Sequence, residues 1–158
     1  MFRDMMRKKQ ALSHEECIAL LKNEWRGVLS VLGDDGYPYG MPMNYWYNEE
    51  DGRLYFHGGS KGHKIDALRR CDKASFCIYD QGFRRDGEWA LNIRSVVVFG
   101  RVQFMEDQNF AMEMTRKLSY KYTDDTEYIE HEIRESGGHT LCFALIPEQI
   151  TGKMTNES

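Results

Sequence analysis

Residues 54–68 combine a strand-like run, a glycine-rich turn and the start of an amphipathic helix, and the turn carries side chains suited to binding a phosphate. Lys61 and Lys64 supply positive charge, Ser60 supplies a hydroxyl, and His63 is a further donor. The first peptide N–H groups of a helix point outwards and carry partial positive charge, so they also attract an anion. The segment therefore predicts a phosphate site where a strand meets a helix.

The same segment also fits an ordinary turn between a strand and a helix. In that interpretation the glycines provide backbone freedom and the basic side chains provide solubility. Composition alone favours this simpler interpretation. The remainder of the chain favours the phosphate site.

The bulk composition indicates a single globular domain over residues 1–158. Hydrophobic residues make up 41% of the 158 residues and charged residues 29%, which is a globular balance. The formal net charge of −4 does not favour nonspecific binding to nucleic acid. No apolar segment is long enough to cross a bilayer, and no signal peptide is recognised. We therefore expect no nucleic-acid partner and no membrane association.

The four cysteines are predicted to be reduced thiols of a cytoplasmic protein. Cys17, Cys71, Cys77 and Cys142 form no C-x-x-C pair, and no spacing of His and Cys resembles a zinc site. We therefore expect no metal centre.

The elements that must position the phosphate turn are predicted from local signals. Ser13 and Glu16 form a capping box for a first helix that ends near Asn23. Further helices are predicted from residue 62 to about 70, from Asp107 onwards, and over residues 124–134, where Gly137 and Gly138 end the last one. The predicted strands cover residues 27–32, 37–47, 53–57, 73–79, 88–92, 95–105 and 140–146.

This pattern predicts a mainly β fold with flanking helices, of the α+β class. Six or seven short strands with turn signals favour a small closed or split antiparallel β-barrel over a doubly wound sheet. Pro38 and Pro42 place their strand at an edge or a bulge.

Short motifs along nearly the whole chain resemble the flavin-binding split-barrel superfamily that includes pyridoxamine 5'-phosphate oxidases. Within it the chain is most similar to the nitroimidazole-resistance (Nim-type) proteins. The motifs that carry the resemblance are Tyr55-Phe56-His57, Gly62-His63-Lys64-Ile65-Asp66-Ala67, Arg94-Ser95-Val96-Val97-Val98-Phe99-Gly100-Arg101 and Ile150-Thr151-Gly152-Lys153. Each is weak alone, and their order and spacing support the assignment.

The resemblance implies that FMN lies at the interface of a homodimer and that Lys64 holds its phosphate. It also places residues of two further strands beside the flavin ring system. The implied cofactor-binding residues are Met43, Asn44, Tyr45, Phe56, His57, Gly58, Ser60, His63, Lys64, Ser95 and Val96. His63 is the implied catalytic residue, which would orient a substrate or exchange a proton, and its alternative role is phosphate binding alone.

The resemblance further implies an FMN-dependent oxidoreductase that acts on a small planar substrate such as a nitroaromatic. Because the chain has no G-x-G-x-x-G fingerprint, an electron donor such as NAD(P)H would visit the flavin site itself. Two alternatives stay open. Split barrels of this superfamily include haem-binding members, for which His57, His63 and His139 are conceivable axial ligands, and others bind flavin without turnover.

Residues 80–92 depart from the pattern of the relatives. The segment is charged, and Trp89 stands where smaller or hydroxyl-bearing residues are expected. Since this region borders the substrate side of the site in the superfamily, the resemblance says less about the substrate than about the cofactor.

Overall fold

The computed structural model describes residues 1–136 and 140–158, which form one curled antiparallel sheet with helices packed against it. The strands are β1 (Arg26–Leu32), β2 (Pro38–Asn44), β3 (Trp46–Asn48), β4 (Arg53–Gly59), β5 (Lys73–Tyr79), β6 (Asn92–Phe104) and β7 (Thr140–Asn156). Their order across the sheet is β2-β1-β5-β6-β7-β4-β3, and every pairing is antiparallel. The predicted mainly β architecture with seven strands is confirmed.

Four helices accompany the sheet: α1 (His14–Asn23), α2 (His63–Arg70), α3 (Gln108–Tyr122) and α4 (Thr126–Ser136). The predicted capping box of α1 is present, with Glu16 N–H donating to Ser13 and Ser13 N–H donating to Glu16. The Asp107 carboxylate caps α3 in the same way. None of the helices within residues 1–136 and 140–158 is long and apolar enough to cross a membrane.

The main core lies inside the curl of the sheet, closed by α1 and α2. Alternate strand residues such as Leu29, Phe76 and Val98 point inwards and are fully buried. A second, smaller cluster joins α3 to the other face of β4 and β7, around Tyr55 and Cys142. The sheet is therefore covered on the inside by the first two helices and at one end by α3.

Two strand predictions are wrong, the first because of pairing across the sheet and the second because of a local side-chain contact. The predicted strand over residues 37–47 is two strands, because the chain leaves β2 at Tyr45 and joins the opposite edge of the sheet as β3. The predicted strand over 88–92 is irregular backbone that follows a turn and ends in the first residue of β6. Arg84 Nε donates to the carbonyl of Trp89 and keeps this segment folded back.

The last strand is also longer than predicted. β7 continues ten residues beyond residue 146, and there it pairs with β6. The predicted helix stop at Gly137 and Gly138 lies outside the described residues.

Candidate functional site

The side chain of Lys64 lies in the gap between β2 and β4, where the curled sheet brings these two strands together. Its Nζ is 3.5 Å from Met43 Sδ on β2. On the other side, the position of a Cβ on Gly58 of β4 is 3.4 Å from the same Nζ, so the ammonium lies within van der Waals distance of that strand. The predicted strand-to-helix turn therefore places one cation between two strands.

The Lys64 ammonium is half-buried and has no carboxylate within ion-pair distance in the described chain. Burial lowers the pKa of Lys64 because it disfavours the charged form. By contrast, the neighbouring Arg70 is paired with Asp34 at 2.8 Å, and Arg69 lies over the ring of Phe104. Lys64 is thus the cation of α2 that is left to meet an anion.

The start of α2 also lacks the side-chain cap that α1 and α3 possess. Its N-cap is Gly62, whose φ of 124° is in a region that favours glycine, and no side chain accepts from the first turn of the helix. The first N–H groups of α2 are consequently available to an anion, and Ser60 is exposed beside them. One ammonium, one hydroxyl and these amides suit a phosphate monoester.

His63 joins α2 to the turn between β1 and β2. Its Nε2 accepts from the N–H of Asp34 at 3.2 Å, and its ring stacks on Tyr39 at 4.2 Å between centroids. Since Nε2 is the acceptor, the neutral ring carries its proton on Nδ1. The side chain remains 38% exposed. His63 therefore has a structural role, and its Nδ1–H remains a donor for a ligand.

His57 precedes Gly58 on β4, and its surroundings favour the neutral form of its ring. Burial lowers its pKa below the ordinary 6.5, and the nearby charge of Lys64 lowers it further. A neutral imidazole next to an ammonium avoids a second buried positive charge. The two groups are therefore electrostatically coupled.

We expect the His57 ring to titrate below pH 6.5 in the folded protein when followed by NMR. The unfolded chain then takes up this proton first as the pH falls, so the free energy of unfolding decreases from pH 6.5 downwards through the native pKa. In Lys64→Met the pKa of His57 should rise only partly, because burial is the larger cause. A complete return to 6.5 would contradict that order of causes.

The other predicted site residues divide between the core and the outer face of the sheet. Tyr45, Phe56 and Val96 are fully buried inside the domain. Asn44 is exposed on the outer face, and Ser95 lies on that face three strands away, about 14 Å at the usual strand spacing. The structure thus brings Met43, Gly58 and Lys64 into contact at the gap, keeps His57, Ser60 and His63 on the adjoining parts of the chain, and leaves the remaining five apart.

A family model described as pyridoxamine 5'-phosphate oxidase matches residues 13–154. The matched range includes the gap, all four helices and the whole sheet except the last residues of β7. The chain belongs to the pyridoxamine 5'-phosphate oxidase family. No curated protein sequence matches it significantly.

Solved structures similar to this member of the pyridoxamine 5'-phosphate oxidase family share its fold. A candidate 5-nitroimidazole antibiotic resistance protein of Bacteroides thetaiotaomicron is 19% identical with a TM-score of 0.76, over 92% of this chain and 87% of that chain. An FAD-binding protein of Mesorhizobium loti is 24% identical with a TM-score of 0.66, over 92% and 97%. An FAD and haem binding protein of Mycobacterium smegmatis is 20% identical with a TM-score of 0.72, over 93% and 73%.

Three residues that support the site of this pyridoxamine 5'-phosphate oxidase family member were missed by the sequence reasoning. Tyr39 stacks on His63, and alternation along β2 places it on the same face as Met43, which was a usable signal. Lys121 and Tyr122 of α3 hold the peptide of Tyr45. No local sequence pattern predicts these contacts, because the contacting residues are 76 and 77 positions apart in the sequence.

Proposed function

We propose that the protein is an FMN-dependent oxidoreductase that binds the FMN phosphate at the start of α2 and acts on a small planar substrate. The observation that carries this proposal is the half-buried Lys64 ammonium, which has no carboxylate partner in the described chain and lies beside an uncapped helix start. Lys64, Ser60 and the first amides of α2 would hold the phosphate. Met43, which contacts the Lys64 ammonium, would lie next to the bound flavin.

FMN would supply hydride and electron transfer when bound, and the chain's own residues would bind and orient. Lys64 neutralises part of the phosphate charge. His63 offers its Nδ1–H to a substrate oxygen or to the phosphate, since Asp34 already occupies Nε2. An NAD(P)H donor and a nitroaromatic or similar planar acceptor would use this site in turn, consistent with the nitroimidazole-resistance name of one structural relative.

A homodimer formed through the outer face of the sheet would complete the site. Val28 and Leu32 of β1 are 39% and 50% exposed on this face, and Phe99 of β6 is 41% exposed although Phe2 stacks on it. The outer-face residues Asn44 and Ser95 are too far apart to border one flavin ring in a single protomer. In a dimer, Ser95 would serve the site of the partner subunit.

The visible absorption of the purified protein tests the proposal. We expect flavin bands near those of free FMN after incubation with FMN and removal of excess, and bleaching of these bands when NAD(P)H is added without oxygen. Chromatography of the cofactor released from protein purified without added flavin distinguishes FMN from FAD, which two of the structural relatives are named for. Protein that retains no flavin would refute the proposal, and retained flavin that no donor reduces would indicate a non-catalytic carrier.

Haem binding is the second candidate, because His57 is half-buried and its pKa is lowered, which favours the neutral imidazole that an axial ligand requires. One structural relative is named for both FAD and haem. A Soret band on haem titration that disappears in His57→Ala would favour this function. His139, the third conceivable ligand, lies outside the described residues.

A further inference from the structure

The chain crosses from one edge of the sheet to the other at a single residue, Tyr45. β2 pairs only with β1 at the first edge, and β3 pairs only with β4 at the opposite edge. Tyr45 is the residue between β2 and β3. Tyr45 is therefore the covalent link between the two edges of the curled sheet, here called the closure. Its geometry depends on how the peptide of Tyr45 is held.

Helix α3 holds this peptide with two consecutive side chains. The N–H of Tyr45 donates to the Tyr122 hydroxyl at 2.9 Å, and that hydroxyl donates to the carbonyl of Trp25 at 2.5 Å. Lys121 Nζ donates to the carbonyl of Tyr45 at 3.1 Å and to that of Glu24 at 2.5 Å. Both peptide groups of Tyr45 are thus paired with side chains instead of a neighbouring strand.

The side chain of Tyr45 leaves the closure little freedom to relax. It is fully buried, its hydroxyl donates to the carbonyl of Leu21 at 2.6 Å, and its ring meets Phe76 edge-on at 4.8 Å. Lys121 Nζ also lies 3.7 Å from the centre of this ring. A change at the end of α3 must therefore move the backbone of Tyr45 or leave its buried peptide groups unpaired.

The closure is next to the gap that contains Lys64. Met43, which touches Lys64, precedes Tyr45 by two residues on β2. Trp46, which follows Tyr45, pairs with Tyr55 on β4, the strand that carries Gly58 on the other side of the gap. The two walls of the gap are consequently joined through Tyr45.

We propose that Lys121 and Tyr122 are positioning residues that set the spacing of β2 and β4 around Lys64, and thereby the affinity of the site for FMN. The inference rests on the proposed function for its ligand. The geometry of the gap does not depend on the proposed function and can be measured on the protein without a cofactor.

The test compares Tyr122→Phe with Tyr120→Phe. Both remove one hydroxyl from α3, but the Tyr120 hydroxyl only meets Thr126 at the surface. We expect the FMN dissociation constant to rise roughly twofold to thirtyfold in Tyr122→Phe, the range for residues that act through packed neighbours, and to stay unchanged in Tyr120→Phe. Lys121→Met should behave like Tyr122→Phe.

Ile133→Ala separates positioning from general loss of stability. This residue is buried on α4, away from Tyr45, so the variant is destabilised without altering the closure. It should bind FMN like the wild type at temperatures where all variants are folded. An equal loss of affinity in Ile133→Ala and Tyr122→Phe would overturn the inference.

The NMR methyl resonance of Met43, assigned with Met43→Leu, reports changes in the geometry of the gap in the absence of any cofactor. It should shift in Tyr122→Phe and Lys121→Met and stay in place in Tyr120→Phe. If the wild type binds no FMN, the proposed function fails, and this resonance alone then decides the inference. An unmoved Met43 methyl in Tyr122→Phe, or an unchanged FMN affinity in a flavin-binding protein, would overturn it.

Discussion

Replacing Lys64 by Met is expected to weaken FMN binding by about tenfold to a hundredfold, the effect of removing one charge-assisted hydrogen bond. Methionine keeps the methylene groups that pack beside Met43 and removes only the ammonium, and Lys64→Ala should lose at least as much. The dissociation constant is measured by quenching of FMN fluorescence. Riboflavin, which lacks the phosphate, should bind wild type and Lys64→Met alike.

Lys61→Met is the matched control, because Lys61 is in the same turn but exposed to solvent. Its charge is screened by water and salt, so its loss should change the affinity by roughly twofold or less. If Lys61→Met and Lys64→Met weaken FMN binding equally, the phosphate is attracted by the general charge of the turn. The gap between β2 and β4 would then not be its site.

Features set by neighbours in sequence could be predicted. The capping box of α1, the amphipathic start of α2 and the position of Lys64 all follow from residues within a few positions of one another, and the structure contains each of them. The gap itself could not be predicted. It exists because Met43 and Gly58 come together across the closure at Tyr45, and only the three-dimensional fold creates that proximity.

The same distinction explains the predicted residues that lie apart. The motifs around Asn44 and Ser95 are each recognisable, but sequence gives no distance between β2 and β6. The strand order inserts β1 and β5 between them. Alternation also puts Ser95 and Val96 on opposite faces, so their side chains cannot border the same ligand on the same side of the sheet. Motif order thus identifies the family, whereas strand order decides which residues share a site.

Replacing Val28 by Asp is expected to convert the proposed dimer into a monomer. Val28 lies on the outer face of the strand next to the sheet edge, opposite Pro42 on β2 and Cys77 on β5, and it is 39% exposed in the isolated chain. A carboxylate there is solvated in the monomer but would be buried without a partner, and beside its own symmetry mate, in a dimer formed through this face. Sedimentation or light scattering at several concentrations measures the change.

The FMN affinity of Val28→Asp tests whether both subunits contribute to the site. If Ser95 of the partner subunit borders the flavin, affinity should fall together with dimerisation, although Lys64 and the start of α2 are untouched. Val28→Thr, which keeps the shape without the charge, should remain dimeric, and Met112→Asp places the same charge on an exposed position of α3 away from this face. A dimeric Val28→Asp would exclude this face as the interface. A monomer that binds FMN like the wild type would confine the whole site to one chain.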